Sequence, residues 1–285
     1  MPEGSPDRPR AWQRLWRRAG ARTALLVLGI LVALAVLGPW FSPWQPQALD
    51  WSQLAQPPQL GHGHWLGTDR LGRDLYVRTL YGLRLSLALS LIASGVSLLI
   101  GIAWGSIAGF AGGRIDGWMM RVVDVLYALP YLFIVIILTS LVARGSLWVL
   151  LVGLGGVGWL TTARIVRAQT LALRGREFIV AARATGLAGG QIITRHIVPN
   201  LMGTVLAYAA LTIPQMILFE SFLSFLGLGV QEPHASLGNL VYGGAQEMES
   251  APWMLLGPAA VLVALLLCLN RLGDGLRDAL DPREY

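Results

Sequence analysis

Six long stretches without a charged residue constrain the fold of this chain more than any other feature of its sequence. Each contains at least 19 residues. An α-helix rises about 1.5 Å per residue and the hydrocarbon layer of a membrane is about 30 Å thick, so about 20 apolar residues cross it. We therefore predict an all-α integral membrane protein with six transmembrane helices, one in each of the stretches 23–49, 85–113, 125–143, 145–163, 196–219 and 250–270.

The composition argues against other classes of protein. Hydrophobic residues make up 54% of the chain and charged residues 13%, whereas a soluble domain carries about 25% charge. This argues against a soluble two-domain enzyme, and the single cysteine, Cys268, excludes an internal disulfide. All 22 basic residues are arginine. Because a Walker A loop needs a lysine, any ATP that drives this protein must bind to another chain.

The placement of arginine predicts the orientation. With the N-terminus inside, 17 arginines fall in inner segments and five in outer ones, as the positive-inside rule describes. We expect both termini to be cytoplasmic and the first apolar stretch to be a retained anchor, not a cleaved signal peptide. The predicted division is a cytoplasmic tail over 1–22, a first transmembrane helix over 23–41, an outer loop over 42–84, a five-helix core over 85–275 with a cytoplasmic loop at 164–199, and a cytoplasmic tail over 276–285.

Two glycine patterns lie inside predicted spans. Residues 153–158 spell G-x-G-x-x-G, but a dinucleotide site requires that pattern between a strand and a helix. Gly101, Gly105 and Gly109 form a G-x-x-x-G repeat, which is typical of closely packed membrane helices. We predict helix packing for both patterns.

The outer loop has two halves of different character. The first half is rich in proline and is expected to be extended. The second half, residues 64–84, mixes charged with apolar residues. This mixture predicts a short amphipathic helix lying on the outer surface.

The sequence offers no catalytic constellation. None of the four histidines lies at membrane depth, and there is no H-E-x-x-H motif for zinc. His62 and His64 could share a surface metal ion, but exposed loop histidines are the favoured interpretation. We therefore predict that the chain is not an enzyme and holds no metal or cofactor.

Ionisable and proline residues within spans are candidates for a transport path. Glu220 has no evident local partner, and an ionisable residue inside a membrane span is a functional candidate by default. Asp124 lies one turn after Arg121, where an ion pair or an interfacial position would explain it equally well. Pro130 and Pro214 are expected to kink or break their helices. A stand-alone proton-coupled secondary transporter or channel using Glu220 is the alternative function, although no internal repeat supports it.

The inner loop contains a predicted helix beginning near Glu177. Its alanine-rich sequence favours a helix and Gly186 is a natural stop. A short helix with a small-residue face that projects from a membrane bundle is suited to enter a groove on another protein.

At this loop the sequence resembles the permease subunits of binding-protein-dependent ABC importers. Their motif, E-A-A-x-x-x-G followed nine residues later by I-x-L-P, is matched at Ala181, Ala182, Gly186 and Pro199. Its glutamate, isoleucine and leucine are replaced by Val180, His196 and Val198. The resemblance implies that an ATPase-coupling loop is formed by Glu177, Phe178, Ala181, Ala182, Arg183, Gly186 and Pro199.

The peptide and nickel permeases of the C type resemble nearly the whole chain beyond its N-terminal tail. The outer-loop motif at 64–74, the segment 224–229 and the C-terminal motif at 273–282 carry this likeness. Segments 195–200 and 217–223 are most similar to the oligopeptide permease C subunits. The motif residues singled out are Gly67, Thr68, Asp69, Gly72, Arg73 and Asp74 in the outer loop and Gly273, Asp274, Arg277 and Asp281 near the C-terminus.

The resemblance implies a type I ABC importer permease fold in a bacterial inner membrane. The implied partners are a second, non-identical permease, one or two cytoplasmic ATPases that bind ATP and magnesium, and an external binding protein; no nucleic acid is implied. The implied substrates are oligopeptides or dipeptides, with nickel or other small solutes as alternatives. Transport would proceed by alternating access, with a path through the bundle that includes Glu220 and Pro214.

Overall fold

A computed structural model of the chain describes residues 18–59, 61, 63–141 and 146–280. Regular secondary structure in these residues is helical, apart from isolated β-bridges in the outer loop. A 3₁₀ turn, Gly38–Phe41, follows the first helix, and a π-helical turn, Ile193–Ile197, leads into the eighth. The helices are α1 (Ala19–Leu37), α2 (Leu75–Ala111), α3 (Gly113–Ala128), α4 (Tyr131–Leu141), α5 (Leu147–Arg174), α6 (Glu177–Ala184), α7 (Gly189–Ile192), α8 (Val198–Phe225), α9 (Leu237–Gln246) and α10 (Trp253–Leu280).

Five helical segments in the described residues are long and apolar enough to cross a membrane, so the all-helical membrane fold is confirmed and a sixth continuous helix is not found there. The third predicted span is divided at Leu129–Pro130 into α3 and α4. Pro130 has no amide hydrogen, so the carbonyl of Leu126 instead accepts a hydrogen bond from the Leu129 amide at 3.3 Å. The five segments are Ala19–Phe41, Leu75–Ala111, Leu147–Arg174, Gly189–Phe225 and Trp253–Ala279.

The second in-span proline does not break its helix. Pro214 lies inside α8, which continues to Phe225. The carbonyl that loses its helical donor is that of Ala210, four residues earlier. A Cβ built on Gly273 of α10 would lie 3.1 Å from the Ala210 carbonyl oxygen, so this oxygen faces the backbone of the neighbouring helix.

The prediction of a short amphipathic helix on the outer surface is wrong. Residues 64–74 form turns, and α2 begins at Leu75 and continues without interruption for 37 residues, about 55 Å. The apolar side chains that suggested a surface helix, including Leu75, Val77 and Leu80, are instead buried in the first turns of α2. The second long helix therefore starts ten residues earlier than the sequence predicts.

The glycine repeat of α2 lies against α5. A Cβ added at Gly101 would lie 2.5 Å from the Thr162 Cβ, and one added at Gly105 would lie 2.5 Å from the Ala163 carbonyl oxygen. The same face includes Gly109, where the Thr170 Cβ would be 2.8 Å away. The packing predicted for this repeat is confirmed.

The bundle has two ends that we name by their residues. The outer end consists of 38–59, 61, 63–75 and 226–252, and the inner end of 108–116 and 172–199. Long helices connect them, and α10 packs against both α1 and α8. Arg18 forms an ion pair with Asp278, which joins the start of the first helix to the last one.

Replacing Gly105 with alanine should lower the thermal unfolding midpoint of the purified protein. The added methyl group would overlap the α5 backbone, and overpacking of this kind costs about 1–3 kcal/mol. Gly95→Ala is the matched control, because Gly95 lies on the same helix and a Cβ there would meet no neighbouring atom within 4 Å. Equal midpoints for both variants would contradict close packing of α2 on α5.

Candidate functional site

The inner loop contains the short helix that the sequence predicts. Helix α6 spans Glu177–Ala184, and Gly186 follows with φ of +80°, a left-handed conformation that favours glycine. The Leu187 amide donates to the Ala182 carbonyl at 3.3 Å, which closes the helix end. Glu177 lies in the first turn, where its charge suits the helix dipole.

One face of α6 is fixed to the bundle. Ile179 is completely buried and Ala182 is 7% exposed. They pack with Ile197 of the π-helical turn, Leu201 of α8 and neighbouring apolar residues. The Arg183 guanidinium lies over the Phe110 ring at 4.6 Å, which attaches the helix to the end of α2.

The opposite face of α6 is exposed and carries small or apolar side chains. Phe178 is 42% exposed and Val180 is 56% exposed, and Ala181 is exposed beside them. Pro199 lies in the first turn of α8, after the π-helical turn. The loop therefore presents a surface of small and apolar side chains, bordered by the exposed Glu177, on a helix whose other face is buried.

At the outer end, Gly67 and Thr68 join two parts of the outer loop. The Thr68 hydroxyl donates to the Gln53 carbonyl at 2.5 Å and accepts from the Gln56 amide at 2.8 Å. Gly67 has φ of +79°, and a Cβ there would lie 2.5 Å from the Gln56 carbonyl oxygen. Glycine is required at this position by both its conformation and the lack of space.

Asp69 and Arg73 form the centre of the outer-loop motif. The Asp69 carboxylate accepts from the backbone amides of Leu71 and Arg73, each at 2.9 Å, and from the Arg73 Nε at 2.6 Å. Gly72 stands between them with φ of +74°, and a Cβ there would lie 1.9 Å from the Asp50 carbonyl oxygen. Each of these motif residues is used to fix a tight turn.

Arg73 also connects this turn to the segment before α9. Its two terminal nitrogens donate to the two Glu232 carboxylate oxygens at 2.7 and 2.6 Å. The buried Arg78 adds a contact to Glu232 at 3.4 Å and donates to the Pro46 carbonyl at 3.2 Å. We call Asp69, Arg73, Arg78 and Glu232 the outer clamp. Hydrogen bonding to Arg73 lowers the pKa of Glu232.

Asp74 and His64 form a further buried contact within the outer-loop motif. The Asp74 carboxylate accepts from the Val77 amide at 2.8 Å and caps α2. Its other oxygen lies 2.8 Å from the His64 Nδ1. Burial raises the pKa of Asp74 despite these contacts. His64 is 2% exposed and stacks on Trp44. The prediction that His64 is an exposed loop histidine is therefore wrong. His62 lies outside the described residues.

Glu220 has local partners that sequence reasoning missed. It is completely buried, and its carboxylate accepts from the Ser86 hydroxyl at 3.1 Å and the Ser224 hydroxyl at 2.8 Å. Ser86 in turn accepts from the Leu237 amide at 3.1 Å. These hydrogen bonds thus join α2, α8 and α9. The i,i+4 spacing of Glu220 and Ser224 could have indicated one partner, whereas Ser86 lies 134 positions away along the chain and no short-range spacing reveals it.

The residues of the C-terminal motif have unequal environments. Gly273 is buried against α8, while Asp274 and Arg277 are exposed. Asp281 lies outside the described residues. Within the described part of the chain, no group of three His, Cys, Asp or Glu side chains is arranged to hold a metal ion.

Comparison with known proteins identifies the family. A family model described as the binding-protein-dependent transport system inner membrane component matches residues 101–284. This chain belongs to that family. A second model, described as the N-terminal TM domain of oligopeptide transport permease C, matches residues 9–58. The resemblance seen in the sequence is confirmed.

Relatives of this permease match nearly its whole length. The oligopeptide transport system permease protein OppC of Haemophilus influenzae is 43% identical, covering 96% of this chain and 88% of that protein. OppC of Escherichia coli K12 is 45% identical, with 96% and 90% covered. The dipeptide transport system permease protein DppC of Bacillus subtilis is 42% identical, with 96% and 85% covered. The chain is a multi-pass inner-membrane transport protein.

A solved structure shows the same fold at lower identity. The permease is similar to a chain of the MetNI methionine ABC transporter in an inward-facing conformation, with a TM-score of 0.58 and 19% identity. The match covers 73% of this chain and 96% of the other. It identifies the fold as that of a type I ABC permease.

Arg73→Lys should loosen the segment before α9. Lysine cannot make the paired hydrogen bonds that the Arg73 guanidinium makes to Glu232. We expect hydrogen–deuterium exchange of residues 226–236 to accelerate about tenfold, which corresponds to about 1.4 kcal/mol.

The outer clamp should also make stability depend on pH. Because the pKa of Glu232 is lowered in the folded protein, the contribution of the clamp to stability is present at neutral pH and is lost as the pH falls through that lowered pKa.

Arg70→Lys is the control for Arg73→Lys. Arg70 belongs to the same motif but pairs with Glu247 while 53% exposed, and exposed ion pairs contribute little. Equal exchange rates in the two variants would show that the outer clamp does not hold the segment.

Glu220→Leu should reduce the amount of folded permease in the membrane. It would leave the buried Ser86 and Ser224 hydroxyls without their acceptor, which costs about 1–3 kcal/mol for each unsatisfied group. Glu220→Gln keeps an acceptor and the side-chain shape, so its abundance should stay close to that of the wild type. Equal loss in both variants would contradict the hydrogen-bonding role.

The translocation role of Glu220 stays a prediction. It is tested by peptide uptake through the Glu220→Gln variant at equal membrane abundance. Impaired uptake would place the carboxylate charge in the transport step, and full uptake would leave it a packing role alone.

Proposed function

We propose that this chain is a permease subunit of an ATP-driven, binding-protein-dependent importer of oligopeptides or dipeptides, without enzymatic activity of its own. The assignment of a peptide substrate rests on the relatives, which are named oligopeptide and dipeptide transport permeases. Nickel or another small solute is the alternative substrate within the family. The lack of a lysine means that ATP and magnesium must be bound by partner ATPases.

The observation that carries this proposal is the arrangement of α6. Its buried face fixes the helix to α2 and α8, and its exposed face offers Phe178, Val180 and Ala181. An apolar helix face in water is unfavourable unless a partner covers it. We infer that a cytoplasmic ATPase receives this helix in a groove. Movement of the ATPase would then be transmitted to the bundle through α6.

We further propose six crossings with both termini in the cytoplasm. Helices α3 and α4 together contain residues 125–128 and 131–141 of the third apolar stretch, and the interruption at Pro130 would lie within the membrane. Non-helical backbone at that depth is tolerated where it is buried in protein or lines a water-filled cavity. The arginine asymmetry supports the orientation, and α6 then lies on the same side as the ATPases.

The full assembly would contain a second permease beside this one and a binding protein at the outer end. The external partner would deliver peptide to the region around the outer clamp. Alternating access, driven by ATP, would then open the path to one side at a time.

Ala181→Trp should abolish most of the peptide uptake by the reconstituted importer. The indole would project from the exposed face of α6 and prevent its insertion into a fitted groove, lowering uptake at least about tenfold while membrane insertion continues. Ala172→Trp is the control, because Ala172 is also exposed but lies on α5. Ala182 is unsuitable for this test, since its side chain is buried and a large replacement would displace α6 itself.

Two outcomes would overturn the proposal. Unchanged ATPase docking and uptake in Ala181→Trp would contradict the role of α6. Uptake by the isolated chain in liposomes, driven by a proton gradient and indifferent to ATP, would instead identify a stand-alone secondary transporter.

A further inference from the structure

A cavity of about 600 Å³ lies between α3, α4, α5 and α8. Its volume falls within the range of about 300–1,000 Å³ typical of ligand sites. It lies at the level of the Pro130 interruption and shares no wall residue with the outer clamp or with α6. No residue of its wall is charged, and its polar wall residues are Tyr127, Tyr131, Thr161, Tyr208, Thr212 and Gln215.

Gln215 is the most informative residue of this wall. It lies near the middle of α8 on the helix face shared with Tyr208, Thr212 and Phe219, since these positions follow one another at intervals of three or four. Its side chain is exposed and has no hydrogen-bond partner among the described residues. An unpaired amide facing hydrocarbon is costly. The Gln215 side chain must therefore face water, a ligand or another chain.

The facing wall gives an independent indication. There the helical hydrogen bonding stops between α3 and α4, at Leu129 and Pro130. Non-helical backbone of this kind is stable at membrane depth only inside protein or beside water. An unpaired amide on one wall and an interrupted helix on the other both indicate a hydrated, ligand-accessible space.

We propose that this cavity is a subsite for the main chain of the transported peptide, with the Gln215 amide as its hydrogen-bonding group. A peptide unit offers one N–H donor and one C=O acceptor, and a glutamine amide offers the complementary acceptor and donors. This proposal rests on the proposed peptide-import function. It adds that the main chain is the part of the peptide that the permease recognises.

The uncharged wall determines what the subsite selects. Without a carboxylate, an arginine or a histidine in the wall, neither acidic nor basic peptide side chains are attracted or repelled. The donor set is equally unsuited to nickel, which prefers imidazole, carboxylate or thiolate ligands. The subsite therefore accepts peptides of varied side-chain charge through the backbone that all of them share.

Gln215→Leu and Gln215→Glu in the complete reconstituted importer test this proposal. Gln215→Leu removes the hydrogen-bonding group, so uptake of acidic, neutral and basic peptides should fall by the same factor, about tenfold. Gln215→Glu places a charge in the wall, so the ratio of basic to acidic peptide uptake should rise about tenfold. A gain of charge selectivity cannot arise from misfolding.

Thr204→Val and Thr204→Glu are the matched controls, since Thr204 is exposed on the same helix but lies outside the cavity wall. Both should keep the wild-type uptake ratio. An unchanged ratio in Gln215→Glu, or equal changes at both positions, would overturn the subsite while wild-type uptake still supports peptide import. Failure of the wild-type importer to carry any peptide would instead overturn the proposed function.

Discussion

The contact between α2 and α5 is the constraint on which the rest of the bundle depends. Lipid chains are as apolar as leucine, so burial of apolar surface does not drive membrane helices together, and close van der Waals contact must do so. The glycines of α2 supply that contact because Thr162 and Ala163 of α5 occupy the space that side chains would need. With these two helices held together, α8 packs across them and α10 packs on α8.

Polar groups are then confined to places where the fold can satisfy them. At the outer end the clamp of Asp69, Arg73, Arg78 and Glu232 supplies counter-charges for every member. Within the bundle Glu220 has only serine hydroxyls as partners in the described contacts, so its hydrogen bonds require Ser86 of α2 to lie beside Ser224 of its own helix. Both arrangements couple the outer segments to the long helices, since neither can form from one segment alone.

The sequence predicts features governed by local chemistry and misses those decided by distant partners. The glycine repeat, the stop at Gly186 and the interruption at Pro130 follow from residue type and spacing, and each is found. The outer start of α2 is missed because charged residues near Leu75 suggest an exposed helix, whereas the clamp buries them. His64 is misjudged for the same reason, since Trp44 and Asp74 cover it. Pro214 does not break α8, and the Ala210 carbonyl that it frees lies against Gly273 of α10.

Helix α8 connects the two proposed functional regions directly. Its inner turns, at Leu201 and Val205, pack with the buried face of α6, and the cavity wall begins at Tyr208, less than one turn further along the same helix. A displacement of α6 therefore needs no long chain of contacts to reach the cavity, because one rigid element forms both surfaces. The π-helical turn at Ile193–Ile197 lies between α7 and α8, so a change in its winding would rotate Gln215 relative to the facing wall. Coupling and substrate contact would thus depend on the same helix.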